Sequence, residues 1–171
     1  MIDVAQNPSD AVEKALDLFG NDILRFAFSY MKNREDAEDV LQETLIRLMQ
    51  AQPVFENEQK LKSWLLRVAA NLCLDQLRSA VRKREVAMPE GFDMPAAESA
   101  EQQNSAVWQQ IFNLPDKYRS VIHLYYYEEY STREIAGITG QKEATVRSLL
   151  KRGREKLEKI MKGENGHAAG I

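Results

Sequence analysis

The stretch LPDKYRSVIHLYYYEEYSTREIAGITGQKEATVRSLLKRGREKL, residues 114–157, decides the fold. Within it, Ser131 followed three residues later by Glu134 is a capping box, which opens a helix bearing Ile135, Ala136 and Ile138. Gly140 ends that helix, since glycine enters the left-handed backbone of a sharp turn without steric cost. A second helix then runs from Lys142 to about Met161. A short helix, a three-residue turn and a longer helix form a helix-turn-helix, whose second helix suits the major groove of DNA. Small Ala136 permits close helix crossing, and Val146 and Leu149 face inward. On the outer side Thr145, Ser148, Lys151 and Arg152 share an arc, flanked by Arg147 and Arg154. Arginine and lysine offer donors to guanine edges, and hydroxyls bond bases or backbone. The plainer reading is a helical hairpin with a basic solvated face. Eight basic against three acidic side chains in residues 142–162 favour the DNA reading.

Upstream, Pro115 suits the first turn of a helix carrying Val121, Ile122, Leu124 and Tyr125 through to Glu129. A helix over residues 105–113 precedes it. Tyr125, Tyr126, Tyr127 and Tyr130 read as core and rim packing. Thr139 and Gln141 put polar groups beside Gly140, and Gly153 weakens the second helix by ~1 kcal/mol relative to alanine. Residues 85–105, EVAMPEGFDMPAAESAEQQNS, hold two prolines, a glycine and five acids, the composition of a flexible acidic linker. The chain therefore divides into a domain over 1–84, the linker over 85–105, a second domain over 106–162 and a flexible tail over 163–171.

In the first domain Val12, Leu16, Phe19, Ile23, Phe26 and Tyr30 recur at helical spacing as one buried stripe. Asn33 caps a second helix with Ala37, Val40, Leu41, Thr44, Leu45 and Leu48 inward, and Pro53 ends it. A third helix spans about 59–84, with Leu61, Leu65, Val68, Ala69 and Leu72 as its apolar side. No segment alternates like a strand. On the third helix Trp64, Arg67, Asn71, Arg78 and Arg82 fall within an arc of about 60°. An aromatic ring, guanidinium groups and an amide on one ridge suit single-stranded DNA, which they stack on, neutralise and hydrogen-bond.

The remaining chemistry is narrow. Hydrophobic residues make up 44% and charged residues 29% of the 171, as in ordinary globular proteins. No apolar run nears the ~18 residues of a membrane span, and no export signal opens the chain, so a cytoplasmic protein without membrane insertion is expected. One cysteine, Cys73, and two histidines, His123 and His167, offer no metal-ligand cluster, so neither metal nor cofactor is expected. Asp36, Asp39 and Glu43 share a face, but without a histidine or lysine beside them, so the chain is expected not to be an enzyme. The net charge of -3 hides two basic stretches, residues 61–84 and 142–162, separated by acidic ones.

Two blocks then resemble the extracytoplasmic-function sigma factors of the sigma-70 family, over roughly residues 12–160. The first is DAEDVLQETLIRL, residues 36–48, followed by LKSWLLRVAANLCLDQLR, residues 61–78; the second is the stretch quoted first. The resemblance implies an all-α fold of two small helical domains, the first a bundle and the second holding the helix-turn-helix. It implies that Asp36, Asp39, Gln42 and Glu43 dock on core RNA polymerase. It further implies that a loop over residues 55–60, with Asn57, Glu58, Gln59 and Lys60, captures a flipped base of the minus 10 promoter element beside Trp64 and Asn71. The second helix of the helix-turn-helix would read the minus 35 element as duplex, and the acidic linker would thread the polymerase channels as a nucleic-acid mimic. Core RNA polymerase, promoter DNA and an anti-sigma factor are the implied partners. The alternative is a stand-alone helix-turn-helix regulator that binds duplex DNA without polymerase, residues 1–84 then serving dimerisation or sensing.

Overall fold

The computed structural model describes residues 1–83, 109–111 and 113–168, and side chains within them except 80–83 and 164–168. The chain falls into two compact units, cut between Pro95 and Ala96. The expected linker, and most of the expected 105–113 helix, lie outside the described residues, although residues 109–111 are helical.

The first unit is built from β1 (Ile2–Asp3), α1 (Pro8–Met31), α2 (Arg34–Ala51), β2 (Val54–Phe55) and α3 (Glu58–Lys83). Local chemistry sets the helix ends. The side chain of Asn7 accepts from the Asp10 amide at the start of α1, with Pro8 in the first turn, and Asn33 accepts from the Asp36 amide at the start of α2. Lys32 and Gln52 close α1 and α2 in the left-handed region, at φ 55 and 49. The core is formed where the three helices meet: Ile23, Phe26 and Ala27 of α1, Ala37, Val40 and Leu48 of α2, and Leu61, Leu65, Leu66 and Ala69 of α3 are all buried. Each large apolar side chain here contributes about 1.5–3 kcal/mol. Buried Thr44 satisfies its hydroxyl on the Val40 carbonyl at 2.7 Å.

Three expectations for this unit need correction. Leu16 is 45% exposed, and the buried stripe of α1 passes through Ala15 instead; a helical period does not say where along a helix its partners lie. A strand pair exists after all, β1 running antiparallel to β2 with Ile2 opposite Phe55 and Asp3 opposite Val54. Residues 55–60 do not form a loop: Phe55 is a buried strand residue, and Glu58 to Lys60 are the first turn of α3. Cys73 is buried, and burial pushes its thiol up, as expected of a small apolar group in the core.

The second unit contains α4 (Asp116–Ile122), a π-helical continuation (His123–Tyr127), α5 (Thr132–Thr139) and α6 (Glu143–Ala168). Pro115 is the N-cap of α4 rather than its first residue. Ahead of it the turn is locked by Arg119, 1% exposed, whose Nη1 donates to the Leu114 carbonyl at 2.6 Å and whose Nη2 pairs with Asp116. The widened π turn holds buried His123 stacked on Tyr127, with Glu128 at 3.8 Å from its Nε2. The expected capping box is present, Ser131 accepting from the Glu134 amide and Glu134 accepting from the Ser131 amide, both at 3.1 Å. Gly140 turns the chain at φ 71. Thr139 is buried without penalty because its hydroxyl donates to the Ile135 carbonyl at 2.9 Å. The tyrosines divide: Tyr130 is buried, whereas Tyr126 is 53% exposed. α6 extends past Met161 to Ala168, so most of the expected flexible tail is helical.

Gly153 is also more than a weak point. It is buried, and a Cβ there would meet Ile122 Cδ1 at 2.8 Å and Tyr118 Cβ at 3.3 Å, so its lack of a side chain lets α6 lie close on α4. Overpacking of about 1–3 kcal/mol then outweighs a helix gain of about 1 kcal/mol in Gly153→Ala. The expected result is a lower urea midpoint by circular dichroism, whereas Gly163→Ala, where nothing lies within 4 Å, holds or raises it. A rise in both variants would refute close packing at Gly153.

Candidate nucleic-acid and partner interfaces

The α2 residues Asp36, Asp39, Gln42 and Glu43 stand on its outer side, Asp39 and Gln42 exposed and the other two half-buried. Two sources contribute. The apolar stripe of α2 is consumed by α1 and α3, which leaves the opposite side to solvent, and the Asn33 cap favours acids such as Asp36 in the first turn. Glu43 pairs with Arg47 at 3.4 Å. Seven residues beyond Asp39 and Gln42, two helical turns on, Ile46 and Met49 are 47% and 44% exposed. This row of acid, amide and exposed apolar groups was visible in the spacing, but the sequence reading stopped at its polar members.

On α3 the structure keeps Arg67, Asn71 and Arg78 exposed along one ridge with half-buried Trp64, while the side chain of Arg82 lies outside the described residues. Asp75 shares this ridge, 3.9 Å from Arg78, a carboxylate that the reading of the basic face left out. Trp64 meets Phe55 edge-on at 5.9 Å between ring centroids. Trp64 also lines a groove of about 530 Å³ with Glu43, Arg47, Gln50 and Ala51 of α2 and Val68 of α3. Glu43 of the α2 row and Trp64 of the α3 ridge thus share one groove.

The residues expected in a base-capturing loop have structural duties. Asn57 Oδ1 accepts from the Lys60 amide at 3.0 Å, which makes Asn57 the cap of α3. Glu58 pairs with Lys14 of α1 at 3.4 Å. Gln59 and Lys60 are exposed in the first helical turn.

In the second unit Val146, Leu149 and Leu150 bury one side of α6. This leaves Thr145, Arg147, Lys151, Arg152 and Arg154 exposed and Ser148 half-buried on the other. The start of α6 is stitched to the start of α5 by Thr132 Oγ1 donating to Glu143 Oε1 at 2.9 Å, and Glu143 also pairs with Arg147 at 3.1 Å. Arg147 is therefore partly neutralised. Arg154 Nη1 donates to the Tyr126 hydroxyl at 3.0 Å, which ties the outer arc of α6 to the π turn. No group of three or more histidine, cysteine, aspartate or glutamate side chains could hold a metal among the described residues. Nor is any helix among them long and apolar enough to cross a membrane.

Comparison with known proteins matches the two units separately. The family described as sigma-70 region 2 matches residues 16–83. The family described as sigma-70, region 4, matches residues 105–157. Across both units the chain is 33% identical to the ECF RNA polymerase sigma factor SigW of Bacillus subtilis, covering 93% of each chain. It is 30% identical to SigM of the same organism, over 87% of this chain and 94% of that one. Among solved structures, the sigma factor RpoE in complex with the anti-sigma factor NepR from Bartonella quintana superposes with a TM-score of 0.65 at 24% identity, covering 88% of this chain and 96% of that one. CnrH in complex with the cytosolic domain of CnrY gives a TM-score of 0.65 at 22% identity, covering 93% and 92%.

Proposed function

The chain belongs to the extracytoplasmic-function sigma factors of the sigma-70 family, and from that membership we propose that it binds core RNA polymerase, reads the minus 35 element as duplex and holds the minus 10 element as a melted single strand. The observation that carries this reading is the groove in which Glu43, at the edge of the α2 row, meets Trp64 of the α3 ridge, so that the two surfaces border each other. A protein that docks on polymerase and captures a DNA strand beside it needs both surfaces adjacent on one rigid bundle. Acidic and amide groups of Asp36, Asp39, Gln42 and Glu43 suit basic side chains on polymerase, with Ile46 and Met49 extending the contact. Arg67, Asn71 and Arg78 meet the separated strand, and Trp64 stacks at its edge. Arg82 is proposed to join them on the sequence period alone.

The duplex is met by α6. Lys151 and Arg152 aim donors at base edges, Thr145 and Ser148 contact bases or backbone, and Arg147 and Arg154 flank them toward phosphates. An anti-sigma factor is a further proposed partner, by analogy with the sigma factor RpoE, whose structure is a complex with the anti-sigma factor NepR. Its natural target is the α2 row, whose occupation excludes polymerase. The chain is proposed to perform no chemistry of its own.

The test is transcription from fragmented genomic DNA by core polymerase with and without the purified protein. Specific new transcripts support the proposal. Sequence-specific duplex binding that needs no polymerase, with no transcript, would support a stand-alone regulator instead. For the recognition helix, Arg152→Ala is expected to cost about 1–3 kcal/mol at the preferred promoter and to relax preference at one base of the minus 35 element. Arg154→Ala is expected to weaken binding to every promoter variant alike and to flatten its salt dependence. Binding titrations over a promoter library at several salt concentrations compare the two, and identical losses on every variant would overturn the division into base and phosphate contacts.

A further inference from the structure

We propose that residues 2–4 are a positioning strap for the strand-capture surface, with Val4 its anchor, so that the Trp64 ridge is held in place before a melted promoter strand arrives. The proposal rests on the strand-capture reading above and deepens it.

The connection between α2 and α3, residues 52–57, is anchored at its α3 end, where Phe55 is buried and Asn57 caps the helix, and less so ahead of it. It starts with Gln52 in the left-handed region, and Val54 is 56% exposed. The rest of its fixing comes from the first residues of the unit. Ile2 pairs with Phe55 and Asp3 with Val54, and the Val4 amide then donates to the Pro53 carbonyl at 3.1 Å. Val4 is fully buried, which seats the strap in the core.

Beyond Val4 the chain is fastened again. The Asp3 carboxylate accepts from the Ala5 amide at 3.1 Å and from Gln6 Nε2 at 3.3 Å, closing a tight turn, and Asn7 caps α1 immediately after. The strap is thus short, tied at both ends and coupled to α1, and the Lys14 to Glu58 pair links α1 to the first turn of α3 as well.

Its effect reaches the ridge through Phe55. That ring is 6% exposed, lies in the strand the strap holds, and packs edge-on against Trp64. Trp64 in turn stands on the same side of α3 as Arg67 and Asn71. Two strands of two residues are marginal as a source of global stability, but they are sufficient to fix one ring against another. Fixing a surface in its binding geometry in advance lowers the entropy lost when a ligand is held, and a separated DNA strand is a ligand whose capture depends on such preorganisation.

The experiment uses holoenzyme assembled with core polymerase and a promoter identified by mapping transcript starts after overexpression. The variants are Val4→Ala, Val4→Ile and a chain lacking residues 2–4, each also made with Trp108→Phe so that in the free protein, before core polymerase is added, Trp64 alone reports fluorescence. Core binding and closed-complex affinity are expected within about twofold of the parent. Permanganate reactivity of unpaired thymines is expected to fall about threefold in Val4→Ala and about tenfold without residues 2–4, with Trp64 emission shifted to the red, while Val4→Ile behaves like the parent. Asn71→Ala is measured in parallel. If Asn71→Ala is defective in melting but the strap variants melt like the parent, the strap proposal alone is overturned. If Asn71→Ala itself melts normally, the strand-capture reading falls and takes the strap with it. Loss of helix content and core binding together in both Val4→Ala and the shortened chain would make residues 2–4 ordinary core packing and overturn the positioning role.

Discussion

Asp39→Lys combined with Gln42→Ala is expected to reduce affinity for core polymerase at least about 30-fold, about 2 kcal/mol, with no change in helix content. Both side chains are exposed on α2, away from the Ala37, Val40 and Leu48 stripe that the bundle buries, so the fold has little stake in them. At the proposed interface the lysine replaces an attraction with a like-charge contact, and the alanine removes donors and acceptors that would otherwise pair there. Fluorescence anisotropy of labelled protein against core polymerase measures the affinity, and circular dichroism checks the helices. A folded double variant that binds like the parent would remove α2 from the docking surface. The neighbouring pair Glu43 and Arg47, already engaged with each other at 3.4 Å, is expected to matter less, since its charges are partly satisfied before any partner arrives.

Asn71→Ala is expected to lower open-complex formation about tenfold while leaving closed-complex affinity nearly unchanged. A base edge inside the duplex cannot reach α3, so groups that hold an extruded base interact with DNA only after the strands part. One well-placed set of base contacts is worth about 1–3 kcal/mol, which brackets a tenfold effect. Alanine is a better helix former than asparagine, and Asn71 is exposed, so a folding defect would not mimic the result. A pre-melted promoter bubble should restore part of the activity, because it supplies the unstacking energy but not the lost contacts. Permanganate footprinting on duplex and bubble templates measures both, and failure already at the closed complex would remove Asn71 from strand capture. Substitutions across residues 57–59 are a poorer test, since Asn57 caps α3 and its loss alone costs about 1 kcal/mol of helix stability.

Most helix starts were legible because their chemistry is local. Asn33 satisfies the amide of Asp36, Ser131 and Glu134 satisfy each other's amides, and Gly140 alone at that turn enters the left-handed region without cost. These groups lie within three residues of their partners, so their order in the chain already contains the interaction. The amphipathic period likewise gave the inner side of α2 and the outer arc of α6, because a helix carries a sequence period directly into space.

What the sequence by itself determined is therefore the two helical units, the helix-turn-helix and the faces their helices turn outward. Only the tertiary structure decided the rest. The strand pair joins residues some fifty positions apart, and two residues are too few to show an alternation. Leu16 fits the period of α1 yet is exposed, since burial depends on where α2 and α3 reach. Gly153 reads locally as a weakness and becomes a close contact only when Tyr118 and Ile122 of α4 lie against it. Asn57 and Glu58 look like polar loop residues until the first turn of α3 and Lys14 of α1 engage them. In each case the deciding interaction is with a neighbour brought close by folding, whose distance no local pattern specifies, whereas caps, turns and helical periods draw their free energy from groups already adjacent in the chain.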